Sequence, residues 1–219
     1  AKATGVPIAK IASKIMIGDK LKDLINLDFE KKMNTFNVKE SVFPFNKFDG
    51  VDLVLGPEMK STGEVMGIDN SFLSAFIKSQ LASGVILPSK GSVFLSIDDD
   101  NKKNIVEIAK KLSTLKFNLI ATRGTANFLK DNKIKVNEIN KVKEGSPHVV
   151  DSLISNKIQL VINTTKTQGS IRDSYGIRRT SLMYNIPYYT TIAGARVAVD
   201  AIRVLKNNQL KVNNLQSIH

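Results

Sequence analysis

The chain has 219 residues, no cysteine, two histidines and a net charge of +12 at pH 7. Without cysteine there can be no disulfide, thiolate nucleophile or zinc–thiolate site, and two histidines argue against a histidine-rich metal site. No apolar run is long enough to span a bilayer. The lysines are spread along the whole chain without interleaved aromatic residues, which argues against a nucleic-acid-binding surface. We therefore expect no membrane partner, no nucleic-acid partner and a cytoplasmic location.

The beginning of the chain suggests that it is not a primary translation product. Residues 1–5 contain neither an initiator methionine nor a hydrophobic signal region. This pattern favours a fragment or a processed product.

The first part of the chain is weakly patterned. Alternation of apolar and polar residues predicts one strand, and helical spacing predicts a helix at either end of the segment. The predicted elements are an apolar helix at residues 6–17 ending at Gly18, a short helix within 19–37, a strand at 38–43, a glycine-rich loop at 46–67, and a helix from about 70 to 83.

Beyond a glycine- and proline-containing linker at residues 84–91, strands and helices alternate regularly. Strands are predicted at 93–97, 117–121, 136–139, 160–162 and 188–190, and helices at 102–115, 125–131, 149–155, 171–184 and 194–206. Repeated strand–helix order with short connections predicts an α/β fold with a parallel five-stranded, Rossmann-like sheet covered on both faces.

Polar residues follow four successive predicted strands. Lys102 follows the first, Thr122 to Thr125 the second, Lys141 the third, and Asn163 to Thr165 the fourth. Because ligands bind outside the carboxyl ends of parallel strands, these side chains are expected at one rim. Lysines, hydroxyls and a helix N-terminus suit a phosphate carrying a polar body. Alternatively, Thr125 merely caps a helix and Gly124 merely turns the chain.

Two strings in the first part of the chain carry a specific resemblance. They are Phe45-Asn46-Lys47-Phe48 and Gly56-Pro57-Glu58-Met59-Lys60-Ser61-Thr62-Gly63-Glu64-Val65-Met66-Gly67, and the preceding Ala3-Thr4-Gly5-Val6-Pro7 agrees with them. This region resembles the end of the second ATP-grasp unit in the large chain of carbamoyl phosphate synthetase. The resemblance implies that residues 1–85 are the C-terminal tail of the ATP-grasp, carbamoyl-phosphate-forming domain.

The resemblance also bears on cofactors. In that family the carboxylates and the asparagine that hold magnesium and ATP lie upstream of the region matched here. We therefore expect no cofactor, no metal site and no catalytic residue in this chain, with ATP and Mg or Mn bound by the parent ligase. Glu58 and Glu64 are candidate metal ligands, but hydrogen bonding to neighbouring backbone is the interpretation we favour.

The second part, roughly residues 90–210, resembles the methylglyoxal-synthase-like domain at the end of the same large chain. We place its boundary at 86–219. Eight residues match family positions that bind regulatory nucleotides: Lys102, Thr122, Thr125, Lys141, Asn163, Thr164, Thr165 and Ser174. The resemblance implies uridine monophosphate (UMP) as an inhibitor and inosine monophosphate (IMP) as a competing ligand at the same site.

The same resemblance implies the partners and the pathway of the parent enzyme. The partners are the remainder of the large chain and the glutaminase small subunit, and the pathways are pyrimidine and arginine biosynthesis. Allosteric regulation rather than catalysis is the expected role of this chain.

An alternative is a stand-alone methylglyoxal-synthase-like phosphate-binding enzyme. In that enzyme the fourth strand ends in Asp-Pro and the third loop contains Gly-Gly-Asp. This chain has Asn163-Thr164-Thr165 and Gly145-Ser146-Pro147-His148 there, so elimination chemistry lacks its general base. His148 has no orienting carboxylate evident in the sequence and is expected to be structural.

A remnant of an ornithine site is the last implication. In some enteric relatives ornithine activates the enzyme from the junction between the ATP-grasp unit and the terminal domain. Glu40 matches one carboxylate of that site, and Tyr188 and Thr190 match the flanks of a Tyr-Asp-Thr run. The central aspartate is replaced by Tyr189.

Overall fold

The structure is a computed structural model, and it describes residues 1–25, 34–42, 63–207 and 209–214. Its main feature is a parallel five-stranded sheet. The strands are β3 (Ser92–Ser96), β4 (Asn118–Thr122), β5 (Asn137–Ile139), β6 (Leu160–Asn163) and β7 (Tyr188–Tyr189), in the order β5-β4-β3-β6-β7. Every neighbouring pair is parallel. The predicted α/β fold and parallel sheet are confirmed.

Helices cover both faces of this sheet. Each face of the sheet packs on its own hydrophobic core, one larger than the other. The larger core includes residues of α4 (Lys102–Thr114), α5 (Arg123–Asp131) and α9 (Ile192–Asn207). The smaller core includes residues of α6 (Val149–Ile154) and α8 (Tyr175–Met183), and α7 (Gln168–Asp173) precedes α8. Alternation along β3 explains the two cores: Val93 and Leu95 enter the larger one and Phe94 the smaller one. The three apolar central residues of β3 are therefore buried, as expected for a parallel sheet that is covered on both faces.

The first part of the chain forms a separate two-stranded antiparallel sheet of β1 (Phe36–Val42) and β2 (Gly63–Asp69). It follows two helices, α1 (Ile8–Met16) and α2 (Leu21–Leu24). The helix α3 (Phe72–Ala82) packs on both strands and also on α9, and its Ile77 belongs to the larger core. The boundary at residue 85 stays a prediction, with α3 in contact with elements on either side of it.

Three predictions about local structure are wrong. Residues 63–67 are not loop but the first part of β2, because their pairing partner in β1 is distant in sequence; residues 46–62 lie outside the described residues. The helix predicted at 171–184 is two helices that meet at Ser174, the first starting at Gln168 after a Thr167 cap. Thr125 does not cap α5, whose N-cap residue is Thr122.

No helix among the described residues combines the length and the apolar character needed to cross a bilayer.

Candidate functional site

A cavity of about 170 Å³ opens where the central strands of the five-stranded sheet end. We call it the rim cavity. The residues that line it are Ser96, Ile97, Asp98, Thr122, Lys141, Val142, Lys143, Asn163, Thr164, Thr165, Ser170, Asp173, Ser174 and Ile177. They come from the ends of β3, β4 and β6, from the loop after β5 and from α7 and α8.

Hydrogen bonds between strand ends fix the floor of the rim cavity. The N–H of Thr164 donates to the carbonyl of Ser96 at 3.0 Å, and the N–H of Asp98 donates to Thr164 Oγ1 at 3.0 Å. Thr122 Oγ1 lies 3.5 Å from Ser96 Oγ. Thr122, Asn163 and Thr164 are all buried polar residues. The end of β3 is thus tied to β6 and contacts β4, which holds these side chains in fixed positions.

The N-terminus of α5 lies beside this floor. Thr122 is its N-cap residue, with φ −64° and ψ 151°, and the helix begins at Arg123. Lys102 Nζ lies 3.7 Å from the point at which a side chain on Gly124 would begin. The same ammonium forms an ion pair with Asp99 at 2.6 Å. Lys102 therefore stands near the first turn of α5 but does not line the rim cavity.

Thr125 has a structural contact in place of the predicted cap. Its Oγ1 accepts a hydrogen bond of 3.0 Å from the N–H of Ile97, and the residue is 2% exposed. The hydroxyl thereby joins the first turn of α5 to the segment that follows β3. Sequence spacing places Thr125 at the helix start, but the partner 28 residues away is visible only in the structure.

Lys141 is held by the loop that follows β5. Its own N–H donates to Glu144 Oε2 at 2.7 Å, and Asn140 is bridged to His148. Within the part of the chain that the structure describes, no carboxylate forms an ion pair with the Lys141 ammonium. Lys143 differs, because it pairs with Asp173 at 2.5 Å. Lys141 thus offers the rim cavity a cation that no described acid neutralises.

Two carboxylates, Asp98 and Asp173, also line the rim cavity. Burial raises the pKa of Asp98, but hydrogen bonds from Thr164 and Asn101 outweigh it and hold the pKa below its ordinary value. Asp98 is therefore ionised at neutral pH. The cavity combines cationic, anionic and neutral hydrogen-bonding groups.

Six of the eight predicted nucleotide-binding residues line one cavity: Thr122, Lys141, Asn163, Thr164, Thr165 and Ser174. Lys102 and Thr125 do not. Their roles in binding a ligand stay predictions. Asp98, Lys143 and Asp173 were not identified from the sequence, although Asp98 follows a strand end and Asp173 precedes Ser174.

His148 is oriented by a carboxylate that was not evident in the sequence. Asp151 Oδ2 lies 3.1 Å from His148 Nδ1 and accepts the His148 N–H at 2.9 Å. The N–H of His148 and the hydroxyl of Ser146 lower the pKa of Asp151. His148 is the N-cap residue of α6, and its Nδ1 accepts from the Asp151 N–H. The pair closes the start of a helix, which agrees with the structural role predicted for His148.

The residues of the predicted ornithine-site remnant lie in two places. Glu40 Oε2 accepts from Gln80 Nε2 at 2.6 Å, and the Tyr189 hydroxyl donates to Gln80 Oε1 at 2.8 Å. We call Glu40, Gln80 and Tyr189 the junction network. The Tyr188 hydroxyl instead accepts a hydrogen bond of 2.9 Å from Asn163 Nδ2, and Thr190 is exposed.

Among the described residues, no group of three or more histidine, aspartate or glutamate side chains is arranged to hold a metal ion. Glu64, a candidate ligand from the sequence, forms an ion pair with Lys39 across β1 and β2. Glu58 lies outside the described residues.

Comparison with known proteins gives a match to one domain family and matches to one group of longer proteins. Residues 104–190 match the model of the MGS-like domain. Carbamoyl phosphate synthase large chains match nearly the whole chain: that of Myxococcus xanthus is 51% identical over 98% of this chain, that of Methanobrevibacter smithii 49% over 98%, and that of Mesorhizobium japonicum 47% over 99%. The match covers 20%, 20% and 19% of those relatives, respectively.

A solved structure of methylglyoxal synthase from Elizabethkingia anophelis is also similar, with a TM-score of 0.41 and 20% identity over 52% of this chain and 79% of that one. The sequence relatives are more informative, because about half of all residues are identical along almost the entire chain. The chain spans about a fifth of the length of these relatives. It belongs to the family of carbamoyl phosphate synthase large chains, and residues 104–190 of it form an MGS-like domain.

Proposed function

We propose that the rim cavity is a regulatory site for nucleoside monophosphates, with UMP as an inhibitor and IMP as a competing ligand. The observation that carries this proposal is Lys141, a residue that lines the cavity and whose ammonium forms no ion pair with an acid in the described part of the chain. The N-terminus of α5 lies beside the same cavity floor. A cation and a helix N-terminus both stabilise a bound phosphate.

The other lining groups favour a phosphate that carries a sugar. The carboxylates of Asp98 and Asp173 would repel a bare phosphate, but they accept hydrogen bonds from hydroxyl groups. The buried amide of Asn163 and the hydroxyl of Ser174 add neutral partners. This combination suits a ligand that is anionic at one end and rich in hydroxyls beyond it.

The wider assignment rests on the relatives. In this proposal the chain is the C-terminal part of a glutamine-hydrolysing carbamoyl phosphate synthase large chain. Residues 1–85 are the end of the ATP-grasp domain, and residues 86–219 are the allosteric domain. The rest of the large chain binds ATP with Mg or Mn, and this chain binds no cofactor and makes no carbamoyl phosphate alone.

The partners are the remainder of the large chain and the glutaminase small subunit, in pyrimidine and arginine biosynthesis in the cytoplasm. A stand-alone methylglyoxal synthase is not favoured, because the relatives that match nearly the whole chain are carbamoyl phosphate synthase large chains. A methylglyoxal synthase would release methylglyoxal from dihydroxyacetone phosphate. We expect none.

Calorimetric titration of the chain with UMP tests the proposal. We expect saturable binding to one site per chain, with IMP displacing UMP. Replacing the cation while keeping an apolar stem, as in Lys141→Met, is expected to weaken UMP binding roughly ten- to a hundred-fold, because a charge-assisted contact is lost.

Lys135→Met is the matched control. Lys135 is exposed beside the start of β5, at the opposite end of the strands from the rim cavity. It should leave UMP affinity unchanged. Absence of saturable UMP binding overturns the proposal. Equal weakening by both substitutions also overturns it, since the binding would then follow the +12 charge of the chain rather than the rim cavity.

A further inference from the structure

The amide of Asn163 is a buried polar group with a partner outside the rim cavity. Asn163 ends β6, is 1% exposed and lines the cavity. Its Nδ2 donates to the hydroxyl oxygen of Tyr188 at 2.9 Å. That bond leaves the carbonyl oxygen and the second N–H of the amide unused by Tyr188. Rotating the amide by half a turn would exchange the donor and acceptor that it presents to a ligand.

The ring of Tyr188 is held in place by strand pairing and by the smaller core. Tyr188 begins β7 and is paired with Val161 of β6, two residues before Asn163. Its ring packs against the smaller core, which contains Phe94, Val161 and Ile186. An aromatic hydroxyl on a packed ring has few positions available, and here it accepts the hydrogen bond of Nδ2, which favours the amide orientation in which Nδ2 faces Tyr188.

We propose that Tyr188 is a positioning residue for the rim cavity: its hydroxyl fixes which hydrogen-bonding edge the Asn163 amide presents to a bound nucleotide. The proposal rests on the proposed function, since it requires a nucleotide in this cavity. It also gives Tyr188 a task different from that of its neighbour Tyr189, whose hydroxyl donates to Gln80 in the junction network.

The two adjacent tyrosines supply a matched pair of variants. Each substitution to phenylalanine removes one hydroxyl, from the cavity side in Tyr188→Phe and from the junction side in Tyr189→Phe. We expect Tyr188→Phe to weaken UMP binding roughly five-fold, the equivalent of about one neutral hydrogen bond. Tyr189→Phe should leave UMP affinity unchanged.

A double-mutant cycle with Asn163→Ala separates positioning from a general structural effect. If Tyr188 acts through the amide, Tyr188→Phe causes no further loss of UMP affinity once Asn163 is alanine. A second readout needs no nucleotide: the side-chain NH₂ resonances of Asn163 in the ¹⁵N-labelled chain should shift in Tyr188→Phe and not in Tyr189→Phe.

The outcomes are distinguishable. Absence of UMP binding by the wild-type chain overturns both the proposed function and this inference. UMP binding that is unaffected by Tyr188→Phe, or that is weakened equally with and without Asn163, overturns the inference alone. So do Asn163 side-chain resonances that are the same in Tyr188→Phe as in the wild type.

Discussion

The rim cavity and the junction network are two polar clusters, connected through the neighbouring residues Tyr188 and Tyr189 of β7. They differ in how many of their polar side chains already have partners within the protein. In the rim cavity the Lys141 ammonium has no acidic partner among the described residues. In the junction network, Glu40 accepts from Gln80 and lies within hydrogen-bonding distance of the hydroxyls of Ser79 and Ser83. Gln80 is bonded at both ends of its amide.

This difference separates a site that can accept a ligand from one that the protein has already filled. Lys141 is exposed, so its ammonium is accessible to a ligand, and a phosphate can form a charge-assisted hydrogen bond with it. A network whose members are already bonded has little to gain from a ligand. The rim cavity therefore suits binding, and the junction network suits the attachment of β1 and α3 to β7.

The largest expected effect concerns the packing that holds the junction network together. A Cβ added at Gly67 of β2 would lie 1.9 Å from the carbonyl oxygen of Ala75 and 2.6 Å from the N–H nitrogen of Ser79 in α3. Backbone atoms cannot move aside cheaply, so Gly67→Ala should lower the free energy of unfolding by roughly 3 kcal/mol or more. Denaturant unfolding measures the loss.

Gly63→Ala is the control on the same strand. The nearest atom to a Cβ there is 3.8 Å away, in Val42, so its effect on stability should be small. If Gly67→Ala is as stable as the wild type, β2 and α3 do not pack as described and the junction network loses its support.

A second experiment compares two threonines of one helix start. Thr125→Val removes the acceptor of the buried Ile97 N–H and should lower the free energy of unfolding by about 1–3 kcal/mol. Thr122→Val should cost less stability, because its hydroxyl contact with Ser96 is long at 3.5 Å, but it should weaken UMP binding. Thermal unfolding and UMP titration of both variants test this division.

The reverse pattern would contradict it. If Thr125→Val lost UMP affinity with no loss of stability, the hydroxyl of Thr125 would serve the ligand, as the family resemblance implies. The bond to Ile97 would then contribute nothing to folding.

Local patterns were sufficient to predict most of the five-stranded sheet. The apolar run of β3 and the helical spacing of α4 are encoded within a few residues, and the repeated strand–helix alternation with short connections predicts that the strands are parallel. Local patterns did not predict structure that depends on long-range contacts: β2 is a strand because β1 pairs with it. They also did not predict that two helices meet at Ser174, because the periodicity of that segment indicates a single helix.

The same limit explains what was missed in the site. Residues that follow strand ends, such as Lys141 and Asn163, could be placed at the rim from the order of elements alone. The partners of Thr125 and Tyr188 could not, because these hydrogen bonds join residues 28 and 25 positions apart. Asp173 pairs with Lys143 across the rim cavity, a contact that helical spacing does not reveal.

The smallest expected effect is none at all: we predict that this chain shows no measurable ornithine binding in calorimetry. Glu40 is already engaged by Gln80, and burial, with a smaller contribution from the Glu40 carboxylate, raises the pKa of Tyr189 far above its ordinary value. Tyr189 is therefore neutral at every physiological pH and supplies no second anion for an amino group.

A cation brought to this network would lose its hydration and gain only one carboxylate, whose oxygens already accept hydrogen bonds. Tyr189→Asp tests the reasoning, because it introduces the acid that the resemblance implies at this position and removes the phenol bonded to Gln80. Injecting ornithine into the wild-type chain should release only the heat of dilution. A heat of binding should appear, if at all, only with Tyr189→Asp. Tight ornithine binding by the wild-type chain, unchanged by that substitution, would show that the junction network is an open site after all. The contrast with the rim cavity would then rest on Lys141 alone.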